Sequence, residues 1–481
     1  MEPNTTELQA DAVIIGAGPT GLTAAYKLNE IGKKTVVFEK GAIVGGIART
    51  ENYKGYGVDI GGHRFFTKVP EVEAMWHEVL GDDFLRRDRL SRIYYNNKFF
   101  YYPIRFFDAL AKLGFIESVR LGFSYIWARL RPTPQEENLE EWVSNRFGKR
   151  LYQIFFKTYT EKVWGIPCTE IKAEWAAQRI KGLSLSTAIK NALIKPKNQE
   201  VKTLIDSFHY PRRGPGMLWT RVQESIEADG HQVLLESDVI EICMNGRRVK
   251  RVTANGPHGL TVASGDHFIS SMPLSELILK MKPAPPPEVL DAARQLSYRD
   301  FLTVALIIRH DDLFPDNWIY VHSPDVKVGR IQNFKNWSPE MIPEAQAGTA
   351  CIGLEYFCDE GDALWQMSNE ELITLGRQEL ARIGLVTEED VMDGVVFRQP
   401  KAYPVYMGEY KAYLATIKAF LGSIENLQTA GRNGLHMYNN QDHSMLTAMM
   451  AVRNIMGEQH DIWSINTERS YHEEVRIPST S

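Results

Sequence analysis

Glycines near the start of the chain have the spacing of a nucleotide-binding loop. An apolar stretch, 12–15, runs into GAGPTG (16–21), an alanine-rich segment follows, and a second apolar stretch, 35–38, ends at Glu39. In such a βαβ unit the first glycine permits the tight turn, the second lets the backbone approach a pyrophosphate, and the third lets helix and strand pack closely. A carboxylate after the second strand can accept hydrogen bonds from ribose hydroxyls. We predict a dinucleotide site here, and a glycine turn without a ligand is the alternative. The predicted cofactor-binding residues of this unit are Gly16, Gly18, Thr20, Gly21, Glu39 and Lys40.

A second glycine-rich segment comes next along the chain. The segment 41–66 places Arg49 three residues after Gly46, and His63 directly after Gly62. A glycine pair followed by an arginine resembles the second phosphate loop of two-domain flavoproteins, and this resemblance narrows the dinucleotide to FAD. We predict that all four residues bind the cofactor. His63 is expected to contact the flavin near N5 rather than to act as a general base, with a structural histidine as the alternative.

Polar residues crowd at the entrance of an apolar, periodic segment near the end of the chain. The sequence NNQDH (439–443) runs directly into a segment typical of a buried helix, shortly after Gly-Arg at 431–432. Free N–H groups at a helix start and the helix dipole favour an anion, so we expect the pyrimidine edge of the flavin there. An N-capped core helix with solvent-facing polar residues is the alternative, and Asn440 or Asp442 would supply the cap. The residues assigned to the cofactor in this region are Arg432, Asn440, Gln441 and Asp442.

Composition and charge exclude several classes of protein. The chain has 481 residues, of which 44% are hydrophobic and 24% charged, with a net charge of −5 and a pI near 6.2. These values suit a globular protein of about two or three domains and do not suggest binding to nucleic acid or to an anionic membrane. No apolar run reaches about 18 residues, so we expect no transmembrane helix. The first ten residues lack the pattern of a signal peptide.

The cysteines show no metal-binding pattern. Cys168, Cys243, Cys351 and Cys358 include no CxxC pair. Four reduced thiols fit this spacing best, which favours a cytoplasmic location. We therefore predict no metal site.

Changes in the apolar pattern divide the chain into three structural units and a tail. Apolar residues at three- and four-residue spacing predict an inserted helical domain, and Asn138 and Glu141 have the spacing of a capping box at one of its helices. Alternating segments predict an antiparallel β-sheet substrate domain beside a Rossmann-type FAD-binding domain, and the fold class is α/β. The predicted segments are 8–82, 208–275 and 424–460 for the FAD-binding domain, 105–200 for the helical domain, 83–104 and 276–423 for the sheet domain, and 461–481 for the C-terminal tail.

Motifs spread over nearly the whole chain point to one group of flavoproteins. They are VDIGGHRFF (58–66), YTEKVWGIP (159–167) and GRNGLHMYNNQD (431–442). With the nucleotide-binding start and the inserted helices, they resemble the amine-oxidase and protoporphyrinogen-oxidase superfamily of FAD proteins. Within it, the chain is most similar to the UDP-galactopyranose mutase family, whose flavin-contacting loop and YTxKxWG segment these motifs match.

The resemblance implies roles for residues outside the nucleotide-binding loops. Arg179 follows Trp164 by fifteen positions and Arg330 follows Tyr320 by ten, which matches the two diphosphate-binding arginines of the family. A planar guanidinium suits a diphosphate because it can make paired, charge-assisted hydrogen bonds. The two arginines and His63 are the predicted catalytic residues. The predicted substrate-binding residues are Trp164, Tyr320, Tyr403, Tyr438 and Asn440.

The resemblance also implies a reaction. In the family, N5 of reduced FAD attacks the anomeric carbon of a nucleotide sugar, and pyranose and furanose forms interconvert without net redox. We therefore expect a nucleotide-diphosphate sugar, similar to UDP-galactose, as the substrate, and a homo-oligomer is compatible with the sequence. An oxidase or desaturase of the same superfamily is the main alternative, and a FAD-stabilised binding protein without turnover is a third.

A basic and aromatic stretch suggests the source of electrons for the flavin. The segment RRDRLSRIYYNNKFFYYPIR (86–105) resembles the region that contacts NADPH in eukaryotic mutases. NAD(P)H is therefore the expected reductant. A solvated basic stripe is the alternative.

Overall fold

The nucleotide-binding half of the chain is organised around a mixed sheet of eight strands. The structure, a computed structural model, describes residues 5–173 and 207–465. Thr5–Ile15 lies inside this sheet and pairs in parallel with Thr35–Phe38 and Gly259–Ser270. The last four residues of the first strand and all of the second are buried, because helices cover both faces of the sheet. The strand order is Met281–Lys282, Asp238–Asn245, Arg248–Gly256, Gly259–Ser270, Thr5–Ile15, Thr35–Phe38 and Gln232–Leu234, with Leu427–Thr429 also paired to Gly259–Ser270.

Helices on the two faces of this sheet make two apolar cores. Side chains of one strand alternate between them: Ile14 belongs to the first core, and Val13 and Ile15 belong to the second. The helices of the first core are Pro19–Glu30, Pro70–Leu80, Gly216–Ala228 and Gln441–Ile455. Those of the second are Leu274–Leu279, Pro287–Arg294 and Tyr410–Leu421. The result is a three-layer arrangement of helix, sheet and helix.

A second sheet, of seven strands, forms the other half of the molecule. Tyr298–Ile308 is buried almost throughout and pairs antiparallel with Ala350–Cys358 and Val391–Pro404. One pair, between Trp318–Val321 and Ser91–Tyr95, is parallel because its strands come from distant parts of the chain. The strand order is Val391–Pro404, Tyr298–Ile308, Ala350–Cys358, Arg330–Asn333, Trp318–Val321, Ser91–Tyr95 and Lys98–Tyr101.

Residues 106–164 form a series of helices, as the apolar spacing predicts. They are Phe106–Leu113, Phe115–Leu130, Leu139–Phe147, Lys149–Tyr152, the π-helix Gln153–Lys157, and Thr158–Trp164. The predicted capping box is confirmed. Asn138 Oδ1 accepts from the backbone N–H of Glu141 at 3.0 Å, and the backbone N–H of Asn138 donates to Glu141 Oε2 at 3.4 Å.

Smaller elements connect these parts. Two small antiparallel pairs are present: a hairpin of Thr50–Tyr53 with Tyr56–Asp59, and a pair of Phe84–Asp88 with the distant strand Ser207–Pro211. Helix Asn369–Ile383 covers one face of the second sheet. The remaining helices are short: Gly46–Ala48, Gly81–Asp83, Phe334–Trp337, Pro339–Met341, Glu344–Gln346, Ala363–Gln366, Glu388–Asp390, Gly431–Gly434 and Ile462–Ser464.

Strand pairing and packing differ from the predicted domain boundaries in a few places. Met281–Lys282 pairs with a strand of the first sheet, and Pro287–Arg294 and Tyr410–Leu421 pack in a core of that sheet, although the sequence placed all three with the second. Phe84–Asp88 pairs outside both sheets. A boundary drawn where the local pattern changes misses such segments, because packing partners decide where they belong. The α/β fold class, with a Rossmann-type unit, inserted helices and a second sheet, is confirmed.

Candidate functional site

One large cavity brings most of the predicted site residues together. Its volume is about 2670 Å³, and it lies where the carboxyl ends of the parallel strands face the second sheet and the inserted helices. This edge is the usual ligand position in open α/β sheets. The predicted residues that line it are Gly16, Gly18, Thr20, Glu39, Lys40, Gly46, Arg49, Gly62, His63, Trp164, Tyr320, Arg330, Tyr403, Arg432, Tyr438, Asn440, Gln441 and Asp442. Gly21 does not line the cavity, and Arg179 lies outside the described residues.

The two glycine loops pack as closely as their predicted roles require. Gly16 has φ +97°, and its N–H donates to the Phe38 carbonyl at 2.7 Å. A Cβ on Gly21 would lie 1.8 Å from the carbonyl oxygen of Gly16, so only glycine lets the first helix approach the strand. A Cβ on Gly46 would lie 3.3 Å from the Cα of Gly18. The loops therefore meet at the start of a helix, where a phosphate is stabilised.

Glu39 and Arg49 are fixed by hydrogen bonds at this end of the cavity. The two carboxylate oxygens of Glu39 accept from the N–H groups of Ala17 and Gly41, each at 2.7 Å. Because a carboxylate oxygen has two lone pairs, Glu39 can still accept from a ribose. Arg49 Nη1 donates to the carbonyl of Gly46 at 2.9 Å. Arg49 therefore stabilises the second glycine loop, a role that the sequence did not separate from cofactor binding.

The helix Gln441–Ile455, here named the closing helix, begins at the cavity. Asn440 occupies its N-cap with extended backbone, φ −76° and ψ 176°, and the N–H of Asn440 lies 3.3 Å from Nδ1 of His443. Of the two candidate caps, the structure thus selects Asn440. Gln441 Oε1 accepts from the indole N–H of Trp219 at 3.3 Å. The polar cluster therefore both caps a core helix and borders the cavity.

The Gly-Arg pair before the closing helix connects it to the first glycine loop. Gly431 has φ +86°, and a Cβ there would lie 2.3 Å from Thr20 Oγ1. Arg432 donates from Nε to the carbonyl of Asn439 at 2.9 Å and from Nη1 to the carbonyl of Ala402 at 3.1 Å. Its partners are backbone carbonyls, so within the described ranges no carboxylate neutralises its charge. This places a positive charge at the cavity.

His63 borders the cavity as a neutral imidazole. Its Nε2 lies 2.8 Å from the carbonyl oxygen of Ile60, to which an Nε2–H can donate. Burial lowers the pKa of His63 to about 4, and the positive charges of Arg432 and Arg330 contribute in the same direction. A base with so low a pKa is poorly matched to proton abstraction near neutral pH. The geometry favours a contact role, as the sequence predicted.

Arg330 is held in the cavity wall by a buried carboxylate and a tyrosine hydroxyl. Its Nη2 donates to Tyr403 Oη at 2.9 Å and lies 2.5 Å from Glu355 Oε2. Gln332 Nε2 donates to the other oxygen of Glu355 at 2.7 Å. The Glu355 side chain is fully buried, whereas 18% of the Arg330 side chain is exposed. Burial alone would lower the pKa of Arg330, but Glu355 and the nearby tyrosines raise it well above its ordinary value.

Aromatic rings lie around Arg330 and Arg432. Tyr403 and Tyr438 stack with centroids 5.6 Å apart and 12° between their planes. The guanidinium carbon of Arg432 lies 5.6 Å from the first ring centre and 4.9 Å from the second. Tyr320 is the strand partner of Arg330. Three of the predicted substrate residues thus lie around a cationic part of the cavity.

The YTEKVWG segment mainly joins the inserted helices to the second sheet. Lys162 Nζ donates to three backbone carbonyls, those of Val321, Ser323 and Val328, at 3.2, 2.8 and 3.0 Å. Burial lowers the pKa of Lys162 to about 8. Trp164 is 8% exposed and packs in the core of the inserted helices, although it also lines the cavity. The position of Trp164 is therefore compatible with the predicted substrate contact and also with a role in core packing.

Glu355 is a site residue that sequence analysis missed. It stands inside TACIGLEYF (349–357), an otherwise apolar strand that is buried throughout. An unpaired charge at such a position would be strongly destabilising, so its presence indicates a buried partner. The signal was present, but the partner, Arg330, lies on the neighbouring strand and could not be identified from spacing.

The arginines of 86–105 have local partners. Arg92 donates to Asp316 from Nε at 2.9 Å and from Nη2 at 2.5 Å. The guanidinium carbon of Arg105 lies 4.2 Å from the ring centre of Tyr101. These contacts are structural, and they are compatible with the alternative of a basic stripe without a ligand. Contact with a nicotinamide cofactor remains a prediction.

The donor set of the cavity fits FAD. The two glycine loops approach each other closely, Glu39 is held at the end of the second strand, and the closing helix begins at the cavity. The first two features suit the dinucleotide and the last suits the flavin ring. Of the residues that the sequence assigned to FAD, all but Gly21 line the cavity, and their contact with the cofactor remains a prediction.

Comparisons with known structures agree on the fold. A reduced UDP-galactopyranose mutase matches with a TM-score of 0.79 and 22% identity, over 95% of this chain and 98% of the mutase. Wild-type putrescine oxidase bound to putrescine matches with a TM-score of 0.62 and 16% identity, over 94% of this chain and 100% of the oxidase. Identities this low show the shared fold and leave the activity open.

Comparisons of sequence identify the family. A 15-cis-phytoene desaturase from an Oncidium hybrid cultivar is 26% identical over 291 residues, which are 56% of this chain and 47% of the desaturase. The match thus spans just under half the length of that relative. The model of the flavin-containing amine oxidoreductases matches residues 19–450, which begin within the first glycine loop and include the second loop, the second sheet and most of the closing helix. The chain therefore belongs to the flavin-containing amine oxidoreductase family, an FAD-binding family.

Proposed function

We propose that the chain is a flavin-dependent mutase that interconverts the pyranose and furanose forms of a nucleotide sugar. When bound and reduced, FAD would supply a nucleophilic nitrogen for the anomeric carbon, with no net redox change. The observation that carries the proposal is the cluster of Arg330, Tyr403 and Glu355 in the cavity wall. The fold shared with a reduced UDP-galactopyranose mutase supports it.

An arginine in the wall of a substrate cavity favours an anionic substrate. A diamine would be repelled by the guanidinium, and a polyene would offer it no acceptor, leaving its donors unsatisfied. A diphosphate offers several oxygens to the planar fork, and each charge-assisted bond contributes about 1.5–3 kcal/mol. Glu355 offsets part of the charge of Arg330 but also fixes its orientation. Arg330 would therefore act as a directed donor that retains the leaving diphosphate.

A second arginine belongs to the proposal on the strength of the resemblance. Arg179 would bind the same diphosphate, so that the leaving group stays in place while the sugar ring opens and recloses. Two guanidinium groups would match the negative charges of the departing nucleoside diphosphate, which gains one more when its bond to the anomeric carbon breaks.

The tyrosines would bind the substrate and keep water out. Tyr320, Tyr403 and Tyr438 can donate from their hydroxyls to phosphate oxygens, while their rings make this part of the cavity apolar. Excluding water protects a reactive sugar from hydrolysis. Trp164 would complete this wall next to Tyr438, whose ring centroid lies 6.5 Å away.

The closing helix and Arg432 would stabilise the reduced flavin. Reduced flavin carries negative charge on its pyrimidine edge, and a helix start favours an anion by about 0.3–1 kcal/mol. Arg432 adds a positive charge whose hydrogen bonds go to backbone carbonyls. His63, being neutral, can approach the ring without adding charge.

An oxidase or desaturase is the second candidate, and one observation favours it. Part of the cavity wall is apolar and is formed by the inserted helices, including Leu110, Leu113, Leu121, Phe155 and Phe156. Such a wall could hold an apolar substrate. The chain also resembles a 15-cis-phytoene desaturase in part of its sequence and a putrescine oxidase in its fold.

Three further features belong to the mutase proposal. A nicotinamide cofactor, NADPH or NADH, would reduce the flavin, since the reaction itself supplies no electrons. A cytoplasmic location would provide that reductant together with nucleotide sugars. A homo-oligomer is compatible with both.

Binding of UDP tests the substrate class. Replacing Arg330 by lysine keeps the charge beside Glu355 but removes the paired N–H donors of the planar guanidinium. The Kd for UDP should therefore rise about tenfold. Arg92→Lys is the matched control, because Arg92 also pairs with a fully buried carboxylate in the same sheet but does not line the cavity. Isothermal titration of the FAD-loaded protein measures both constants.

The two variants separate recognition from stability. Arg92→Lys should bind UDP as the natural chain does, with a comparable loss of thermal stability in both variants. Equal affinities of Arg330→Lys and the natural chain for UDP, or no UDP binding at all, would remove the diphosphate assignment.

A further inference from the structure

One helix exposes apolar side chains along its whole length. In Phe115–Leu130 the exposed fractions of seven large apolar residues run from 39% to 84%. At about 100° per residue they fall within an arc of about 120°, so they form one continuous stripe. We name this stripe the apolar face; its members are Phe115, Ile116, Val119, Phe123, Ile126, Trp127 and Leu130.

The opposite side of the same helix faces the protein. Leu121 is 8% exposed, and Ser118, Leu121 and Tyr125 line the cavity. An ordinary surface helix buries its apolar stripe and exposes a polar face. Here Leu121 is the one buried residue of the helix, and the continuous apolar stripe lies on the exposed side. A contiguous exposed apolar patch of this kind marks an interaction site.

Basic residues flank the apolar face. By helical angle, Arg120 and Arg131 lie on one side of it and Arg129 on the other. The guanidinium carbon of Arg131 lies 4.7 Å from the ring centre of Trp127. The acid of this helix, Glu117, is paired with Arg150 and with Arg120. Glu117 is thus shared between two arginines, and basic residues outnumber acids along this face. Aromatic and aliphatic side chains flanked by arginines are the pattern of a helix that lies on anionic lipid.

The length of the helix decides how it could meet a bilayer. Sixteen residues rise about 24 Å, short of the roughly 30 Å of a hydrocarbon core. In residues 5–173 and 207–465, no helix has the length and apolar content needed to cross a bilayer. Contact along the surface is therefore the geometry that remains for this helix.

We propose that the apolar face docks the protein onto an anionic phospholipid bilayer, with the helix Phe115–Leu130 parallel to the surface. The net charge of −5 predicted no affinity for such a membrane, but the local arginines provide the complementary charge that the whole chain lacks. Because the inner side of this helix lines the cavity, docking sets the apolar part of the cavity one helix away from the acyl chains. This inference is independent of the proposed mutase activity.

Sedimentation of the full FAD-loaded chain with vesicles tests the proposal. Phe123→Ser/Trp127→Ser should lower the partition coefficient onto vesicles of phosphatidylcholine and phosphatidylglycerol at least tenfold. Ile31→Ser/Ile240→Ser is the matched control, since these residues are 42% and 44% exposed outside the apolar face, and it should bind as the natural chain does. Flavin absorbance of each variant reports that the fold is retained.

A second experiment tests the contribution of the flanking arginines. Arg120→Gln/Arg129→Gln/Arg131→Gln should abolish the preference for vesicles that contain phosphatidylglycerol over phosphatidylcholine alone. Failure of the natural chain to sediment with either vesicle, or equal sedimentation of Phe123→Ser/Trp127→Ser, would overturn the proposal. A dimer on size-exclusion chromatography that Phe123→Ser/Trp127→Ser dissociates, without vesicle binding, would overturn it in favour of a second copy of the chain.

Discussion

At the scale of single residues, burial and pairing determine which groups in the cavity carry charge. His63 is neutral because burial and two nearby arginines lower its pKa to about 4. Arg330 stays charged because Glu355 and the nearby tyrosines together outweigh the effect of burial on its pKa. Arg432 donates hydrogen bonds to two backbone carbonyls and lies against the rings of Tyr403 and Tyr438. The part of the cavity around these residues therefore presents positive charge and neutral hydrogen-bonding groups, which suits an anionic ligand.

Replacing His63 by asparagine should flatten the pH dependence of the free energy of unfolding below neutrality. The unfolded histidine titrates near 6.5 and the folded one near 4. Between these values the unfolded state binds more protons, so stability is present above about pH 6.5 and is lost as the pH falls towards 4. Denaturant unfolding of His63→Asn at a series of pH values should show this loss removed.

The control for this experiment is a histidine on the surface. His310, whose side chain is 60% exposed, lies away from the cavity, and His310→Asn should keep the pH slope of the natural chain. If His63→Asn lost stability over this range as steeply as the natural chain, the low pKa assigned to His63 would be wrong.

Residues in local motifs could be predicted, and residues that support them across the sheet could not. The cofactor residues of the first glycine loop were identifiable because their roles depend on spacing within one βαβ unit. Glu355 and Gln332 fix Arg330 from neighbouring positions of the second sheet, and this depends on strand register. Lys162 stood in a recognised motif, but its contacts with three carbonyls depend on tertiary packing.

At the scale of elements, the contact between the first helix and the first strand should be sensitive to a single methyl group. Gly21→Ala places a Cβ 1.8 Å from the Gly16 carbonyl oxygen, so the helix must move. We expect a loss of at least about 2 kcal/mol in the free energy of unfolding, together with loss of bound FAD. Thermal unfolding and the ratio of flavin to protein absorbance measure the two effects.

A second helical glycine provides the control. A Cβ on Gly122 would meet nothing within 4 Å, and alanine there should stabilise its helix by about 0.5–1 kcal/mol. FAD content should not change in Gly122→Ala. Retention of FAD by Gly21→Ala at the level of Gly122→Ala would show that the close approach is not needed for cofactor binding.

The N-cap of the closing helix should contribute both to stability and to cofactor binding. Asn440→Ala should lower the free energy of unfolding by about 1 kcal/mol. It should also raise the Kd for FAD, because the start of this helix borders the cavity. Ser368→Ala removes the N-cap of Asn369–Ile383, where the hydroxyl accepts from the N–H of Glu371 at 3.2 Å. It should cost about as much stability but leave the Kd for FAD unchanged. Equal FAD affinities of the two variants would favour the alternative, an N-capped core helix without a ligand.

Elements with strong local signals were predicted, and their assignment to one sheet or the other was less accurate. The cap at Asn138 was predicted because a capping box is encoded within four residues. Met281–Lys282 and the helices Pro287–Arg294 and Tyr410–Leu421 pack with the first sheet, although their sequence lies between strands of the second. Only packing partners distant along the chain determine that placement.

At the scale of the whole molecule, one fold serves several chemistries. The chain shares its architecture with a mutase and with an amine oxidase, so the fold alone does not select an activity. The selection rests on the cavity, where the flavin end and a cationic, tyrosine-lined region lie side by side. An apolar region formed by the inserted helices adjoins them, and it is the feature that the mutase proposal uses least.

The most direct test is the product formed by the reduced protein. Dithionite-reduced, FAD-loaded protein is incubated anaerobically with UDP-galactopyranose, and the nucleotide sugars are separated by anion-exchange chromatography. If the chain is a mutase, a furanose isomer forms and the flavin remains reduced at the end of the reaction. Absence of the isomer with a panel of nucleotide sugars, combined with oxygen uptake by the oxidised protein on an amine or a polyene, would contradict the mutase proposal.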